Sequence, residues 1–197
     1  MSMRTALIAA ALVAGISTPA FAVTNLVANG GFETGTFINW TRTSTGLNGF
    51  TTTSITSVPV EVFSGRYAAK LRTVRSNVNT LAQTITTINA RPYVLSYVLR
   101  NSDNRGRVID NLTVTSGTTV TVFGDRPSFA YSPFSQYFVA NGASSLISFA
   151  FRHTSPGFYL DDVVVTMVPE PATWGLMLAG FGMIGFAMRR RIRSVAA

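Results

Sequence analysis

Between Val23 and Met167 the apolar residues alternate with polar ones and do not recur at helical spacing. In 93–100, Tyr93, Leu95, Tyr97 and Leu99 share one parity, the mark of a strand with a single buried face. In 66–72, Arg66, Lys70 and Arg72 share the outward parity, while Tyr67, Ala69 and Leu71 face in. Thr, Val, Ser, Phe and Tyr dominate, and turn residues return every 8–12 residues or so, a spacing that points to an all-β sandwich. The predicted strands are 37–42, 50–55, 67–73, 80–88, 93–100, 108–115, 118–123, 136–139, 146–152 and 158–167. Gly46, Gly49, Gly65, Pro92, Gly106, Gly117, Pro127, Pro133, Gly142 and Pro156 supply the breaks. These strands form one domain, residues 23–167.

Both ends break the alternation. Residues 1–22 carry Arg4, an apolar run from Ala6 to Ile16, and a closing Ala20-Phe21-Ala22. That order is an n-region, an h-region and a small-residue cleavage site, so signal peptidase is expected to cut after Ala22. The apolar run is short for a membrane anchor. At the other end, Pro169-Glu170-Pro171 precedes an uncharged run, 172–188, and then Arg189, Arg190, Arg191 and Arg193. As a helix the run reaches about 25 Å, the short limit for a bilayer. The arginines act as a cytoplasmic stop-transfer cluster, which leaves the body of the protein outside. Gly180, Gly182 and Gly185 spell G-x-G-x-x-G, but no strand precedes them and no acidic residue follows, so they are not a nucleotide site.

Pro-Glu-Pro, a short apolar span and a terminal arginine cluster together resemble the PEP-CTERM sorting signal of Gram-negative bacteria. The match covers Pro169, Glu170, Pro171, Ala172, Trp174, the Gly/Leu-rich span and Arg189–Arg193, with Ile192 the one interruption. The resemblance implies sorting signal 168–193 and a four-residue tail, 194–197. It also implies a partner, the integral-membrane transpeptidase exosortase, which processes the tail and delivers the protein to the cell surface or an exopolysaccharide matrix. Pro169 and Pro171 fix φ and bar regular structure, leaving an extended segment accessible to a protease.

Composition narrows the chemistry. The 197 residues contain no Cys, which excludes disulfides and thiolate sites. A net charge of +8 suggests nucleic acid, but much of it sits in the terminal segments. Residues 23–168 hold 11 basic and 7 acidic residues, a balance of +4 that favours a solvated surface over a nucleic-acid face. His153 is the only histidine, placed near a strand end as a surface or capping residue, and no G-x-S-x-G elbow occurs. Glu33 with Asp161 is the one carboxylate pair worth weighing for glycoside hydrolysis.

Asn25-Leu-Val-Ala-Asn-Gly-Gly-Phe-Glu33, with Gly35, Phe37 and Trp40, resembles the opening of galactose-binding-like jelly rolls, among them carbohydrate-binding modules. Phe158-Tyr-Leu-Asp-Asp-Val163 resembles their closing strand, and 64–69 with Gln83 follows the same pattern. The resemblance implies first and last segments lying side by side. It also implies a structural Ca²⁺ near Glu33 and Asp161, against the alternative that both carboxylates pair with backbone amides or an arginine. Strand alternation sends Asp161 and Asp162 to opposite faces, so only one should reach such a site. Sugar binding by stacked rings makes Tyr131, Phe134 and Tyr137 the candidates, though the same cluster could plug one end of the sandwich. Trp40 is assigned to the core. The reading is an exported, non-catalytic surface or matrix protein that binds polysaccharide. The alternatives are a carbohydrate-active hydrolase and a permanently anchored envelope protein.

Overall fold

The computed structural model describes residues 24–45, 52–73, 77–102, 111–124, 127–153, 157–168, 175 and 177–186. Ala20, Ala22, Pro169, Glu170, Pro171 and the arginines 189, 190, 191 and 193 lie outside the described residues.

Among the described residues ten strands build two antiparallel sheets. They are β1 (Thr41–Ser44), β2 (Ser54–Thr56), β3 (Ala68–Leu71), β4 (Asn79–Thr86), β5 (Pro92–Asn101), β6 (Asn111–Ser116), β7 (Thr119–Gly124), β8 (Phe129–Val139), β9 (Ser144–Arg152) and β10 (Phe158–Met167). One sheet runs β1-β4-β9-β6-β7 and the other β2-β3-β10-β5-β8. The chain therefore crosses repeatedly between the layers, and long-range pairing holds it together.

The predicted alternation packs the space between the sheets. Tyr93, Leu95, Tyr97 and Leu99 are all buried, and they face Leu112, Val114, Ile147, Phe149 and Phe151 from the opposite layer. Each large side chain removed from water in this way stabilises the fold by roughly 1.5–3 kcal/mol. Trp40 joins the core as expected: its ring meets Phe32 at 5.6 Å and Phe149 at 6.3 Å, and its Nε1 donates to Asn29 O at 3.1 Å. Tyr67 departs from its predicted inward place. It is only partly buried, and its ring packs over Gly35.

β8 is much longer than the predicted 136–139, because Pro133 does not end it. β8 lies at the edge of its sheet, where the missing N–H of a proline costs no ladder bond.

The opening segment lies along β10, as the resemblance implied. Leu26 N donates to Val165 O at 2.9 Å and Val163 N to Gly30 O at 3.0 Å. Gly30 is required there: a Cβ would fall 1.9 Å from Val163 O. After Leu160, β3 no longer pairs with β10, and this opening segment lies beside it instead.

Residues 177–186 are helical and expose Met177, Leu178, Phe181, Met183, Ile184 and Phe186. Among the described residues no helix is long and apolar enough to cross a membrane. The ends of the expected span, 172–174, 187 and 188, lie outside the described residues.

Candidate functional site

The outward face of the second sheet carries most of the polar chemistry. A strap, residues 57–67, crosses it and includes one 3-10 turn, Pro59–Glu61. Three carboxylates fasten the far end of this strap. Glu33 accepts N–H donors from Arg66 (3.0 and 3.1 Å to its two oxygens) and Tyr67 (3.1 Å). Asp161 Oδ2 accepts Phe63 N at 3.2 Å and Ser64 N at 3.1 Å. Asp162 Oδ1 accepts the Ser64 hydroxyl at 2.8 Å.

Strict alternation fails here, so both aspartates reach Ser64. β10 bulges between Asp161 and Val164, and Asp162 takes a left-handed φ of 48°. A bulge inserts one residue and re-aims its neighbour. Asp161 is wholly buried, and that burial pushes its carboxyl up from 3.8 to about 6. The amides of Ser64, Asp162 and Phe63 act in the opposite direction, and the Asp162 charge adds to the rise.

The near end of the strap rests on a row of side chains running across the sheet. Register places Lys70 of β3 opposite Tyr159 of β10, and Tyr159 opposite Arg100 of β5. Both cations lie over the Tyr159 ring, Lys70 at 5.1 Å and Arg100 at 5.4 Å from its centroid. Glu61 of the strap accepts Lys70 Nζ at 2.6 Å, Tyr159 Oη at 2.7 Å and Thr56 Oγ1 at 2.6 Å. Burial works against the Glu61 charge, but these donors outweigh it and hold the carboxyl below its ordinary 4.5. Burial likewise opposes the Lys70 charge, and Glu61 more than offsets it. Arg100 donates to Val60 O, and Tyr131 Oη donates to Glu61 O at 2.7 Å.

Beyond Arg100 the row opens into a groove of about 620 Å³ at the end of the sandwich. It is lined by Arg100, Asn101 and Ser102 from the end of β5 and by Ser128, Phe129, Ala130 and Tyr131 at the start of β8. The ladder between these strands shifts register between Leu99 and Asn101, which leaves 130–131 bulged beside Arg100. The Tyr131 ring packs against Phe63 of the strap, tilted by 54° at 5.3 Å, and burial raises its phenol pKa. An aromatic wall, an arginine and short polar side chains are the parts that a sugar site uses.

The three aromatic candidates do not come together. Tyr131 lines the groove. Phe134 faces the interior, stacked on Tyr97 at 5.8 Å and edge-on to Phe123 at 4.9 Å, so it is a core residue and not a sugar platform. Tyr137 is 70% exposed on the outer face, six residues along β8 and so about 20 Å from Tyr131.

Glu33 and Asp161 hold opposite ends of one turn, and both present their oxygens to N–H groups. Those donors hold each carboxylate against the turn. Among the described residues no three His, Asp or Glu side chains converge to hold a metal. In this structure both carboxylates act as turn anchors.

His153 is no surface residue. It is fully buried, with Nε2 3.1 Å from Asn101 Oδ1 and its ring edge-on to Phe158 at 4.7 Å.

Sequence reasoning missed Arg100, Asn101, Phe129, Glu61 and Tyr159. The outward parity of Arg100 was visible, but its neighbours come from strands distant in sequence.

A family model describing a PEP-CTERM protein-sorting motif matches residues 168–191. The chain carries a PEP-CTERM sorting motif. That motif indicates export and exosortase sorting, and it begins one residue after the last strand ends at Met167.

No curated protein sequence matches the chain. Solved structures match the sandwich. TmCBM61, solved in complex with β-1,4-galactotriose, is similar with a TM-score of 0.55 at 15% identity, over 74% of this chain and 99% of that one. The enzymatically active domain of bacteriophage CBA120 tailspike protein 4 is similar with a TM-score of 0.58 at 14% identity, over 73% of this chain. The match spans only 21% of the tailspike chain. The CBM22-1–CBM22-2 tandem domain of Paenibacillus barcinonensis Xyn10C is similar with a TM-score of 0.50 at 15% identity, over 78% of this chain and 48% of that one. At these identities the likeness establishes the fold, a carbohydrate-binding-module-like jelly-roll sandwich.

Proposed function

We propose that this PEP-CTERM protein is a non-catalytic polysaccharide-binding component of the cell surface or extracellular matrix of a Gram-negative bacterium. The observation that carries the reading is the sorting motif joined directly to β10, which makes the sandwich the delivered cargo. Val168 still belongs to the sandwich, since its N–H donates to Pro92 O at 2.9 Å. The groove beside Tyr131 and Arg100 supports polysaccharide as the ligand. Non-catalytic action accords with a histidine buried against Asn101 and with Glu33 and Asp161 engaged as turn anchors.

Intact mass of protein recovered separately from membrane and medium tests the sorting. The expected mass lacks residues 1–22 and everything beyond the 169–171 region. A mass that keeps 172–197 in both fractions would replace exosortase processing with permanent anchoring.

A further inference from the structure

We infer that the groove takes an acidic polysaccharide, one bearing carboxylates along its length, with Arg100 as the carboxylate receptor. This deepens the polysaccharide reading above and rests on it. Two observations carry it.

The first is the lining. Among the described lining residues Arg100 is the one charged residue and none is acidic. Its partners beside the groove are the Tyr159 ring and the carbonyl of Val60. A guanidinium has five N–H donors in a planar fork, so one bond to a carbonyl leaves donors for a carboxylate. Phe129 and Tyr131 give the groove apolar wall, and Ser128 is an exposed hydroxyl beside them.

The second is how the four described acids, Glu33, Glu61, Asp161 and Asp162, are engaged. Each described acid is engaged from inside. Glu33 is capped by the amides of 66 and 67, Asp161 by those of 63 and 64, Asp162 by Ser64, and Glu61 by Lys70, Tyr159 and Thr56. Among the described residues the one salt bridge is Lys70–Glu61. By contrast, the guanidinium groups of Arg42, Arg66 and Arg100 lie over the rings of Phe37, Tyr67 and Tyr159. A ring face leaves the charge on an arginine intact and available outward. The strap covers the Lys70 end of the row through Glu61 and leaves the Arg100 end open to the groove. The geometry thus offers a cation where a polymer can enter.

The test is affinity electrophoresis of the purified full chain in gels containing polygalacturonate, its methyl ester, β-1,4-galactan or xylan. Retention by polygalacturonate is expected, and it should weaken on esterification and on raising salt from about 50 to about 300 mM. Arg100→Gln should weaken that retention by about tenfold or more, since a charge-assisted fork is lost. Arg100→Lys should fall between, because it keeps the charge and loses the fork. If Arg100→Gln does not fold, as judged by its melting curve, the ester and salt comparisons on the unmutated protein decide the matter. Equal retention by the acid and its ester, or retention by galactan or xylan alone, overturns the acidic class and leaves the polysaccharide reading standing. Retention by none of the four overturns both.

Discussion

Asp161 offers the sharpest test of the physical account, because a buried carboxylate must show itself in the pH dependence of stability. Burial raises its folded pKa from 3.8 to about 6. At about 1.4 kcal/mol per pH unit, the charged form costs the fold about 3 kcal/mol relative to the protonated one. The sign follows from the raised pKa. The stabilisation is fully present below 3.8 and is lost as pH rises through about 6. Acidification from pH 7 to pH 5 should therefore stabilise the protein through this group, by about 1.4 kcal/mol of the total. For a domain of this size that is about 3–5 °C in Tm. Glu61 does not interfere, since its pKa is held below 4.5 and its loss of stability begins below that value. The assay is thermal unfolding of the wild type and Asp161→Asn at half-unit steps from pH 5 to pH 7. The substituted amide has no charge to lose, so the variant's curve should lack this rise, and the difference between the two curves isolates the group. Coincident curves would refute the burial argument. A wild type that loses stability on acidification relative to the variant would show that the amides of 63 and 64 outweigh desolvation.

Other outcomes follow from single contacts. Gly30→Ala should lower stability by about 1–3 kcal/mol, because a Cβ 1.9 Å from Val163 O must break the Val163–Gly30 and Leu26–Val165 bonds; chemical denaturation reads the loss. Phe149→Ala should cost about 3–5 kcal/mol by opening a cavity between the sheets, seen as a lower denaturation midpoint at unchanged slope. Gly65→Ala should destabilise the strap, since its φ is +65° and a Cβ would meet the Glu33 carboxylate at 2.4 Å; faster amide exchange at 63–67 is the readout. Adding EDTA or Ca²⁺ should leave Tm unchanged, and a rise with Ca²⁺ would restore the metal in place of the amide grip.

The fold was legible wherever one strand decides its own face. Tyr93 to Leu99 show period two because one side of β5 is core and the other is not. Trp40 was assignable because a large ring beside a turn has few other places to go. Errors arose where a rule of local structure depends on position in the sheet. Pro133 reads as a break unless β8 is known to be an edge strand. Asp161 and Asp162 read as opposed unless the bulge is known. The aromatic cluster of 131–137 was seen as one unit, yet strand geometry sends Phe134 inward and Tyr137 outward. The row Lys70–Tyr159–Arg100 could not have been found from the sequence, since it needs the register of three strands distant in sequence.

That same register relates the groove to the tail. Asn101 and Arg100 pair with Phe158 and Tyr159 at the start of β10, whereas Tyr93 pairs with Met167 at its end. The groove and the point where the sorting segment leaves the sandwich are thus separated by nearly the whole of β10, about 25 Å. A protein held by its C-terminal segment presents the far end of its last strand to the surroundings. Here that end carries Arg100 and Tyr131. On the proposed reading, processing of the tail leaves polysaccharide retention unchanged, because it touches none of the residues that line the groove. It also explains why the strap is fastened by so many internal donors. The strap buttresses Tyr131 and Arg100 through Glu61 O and Val60 O, so its rigidity fixes the groove wall. Loosening it at Asp161 or Gly65 should weaken polysaccharide retention without altering any lining residue.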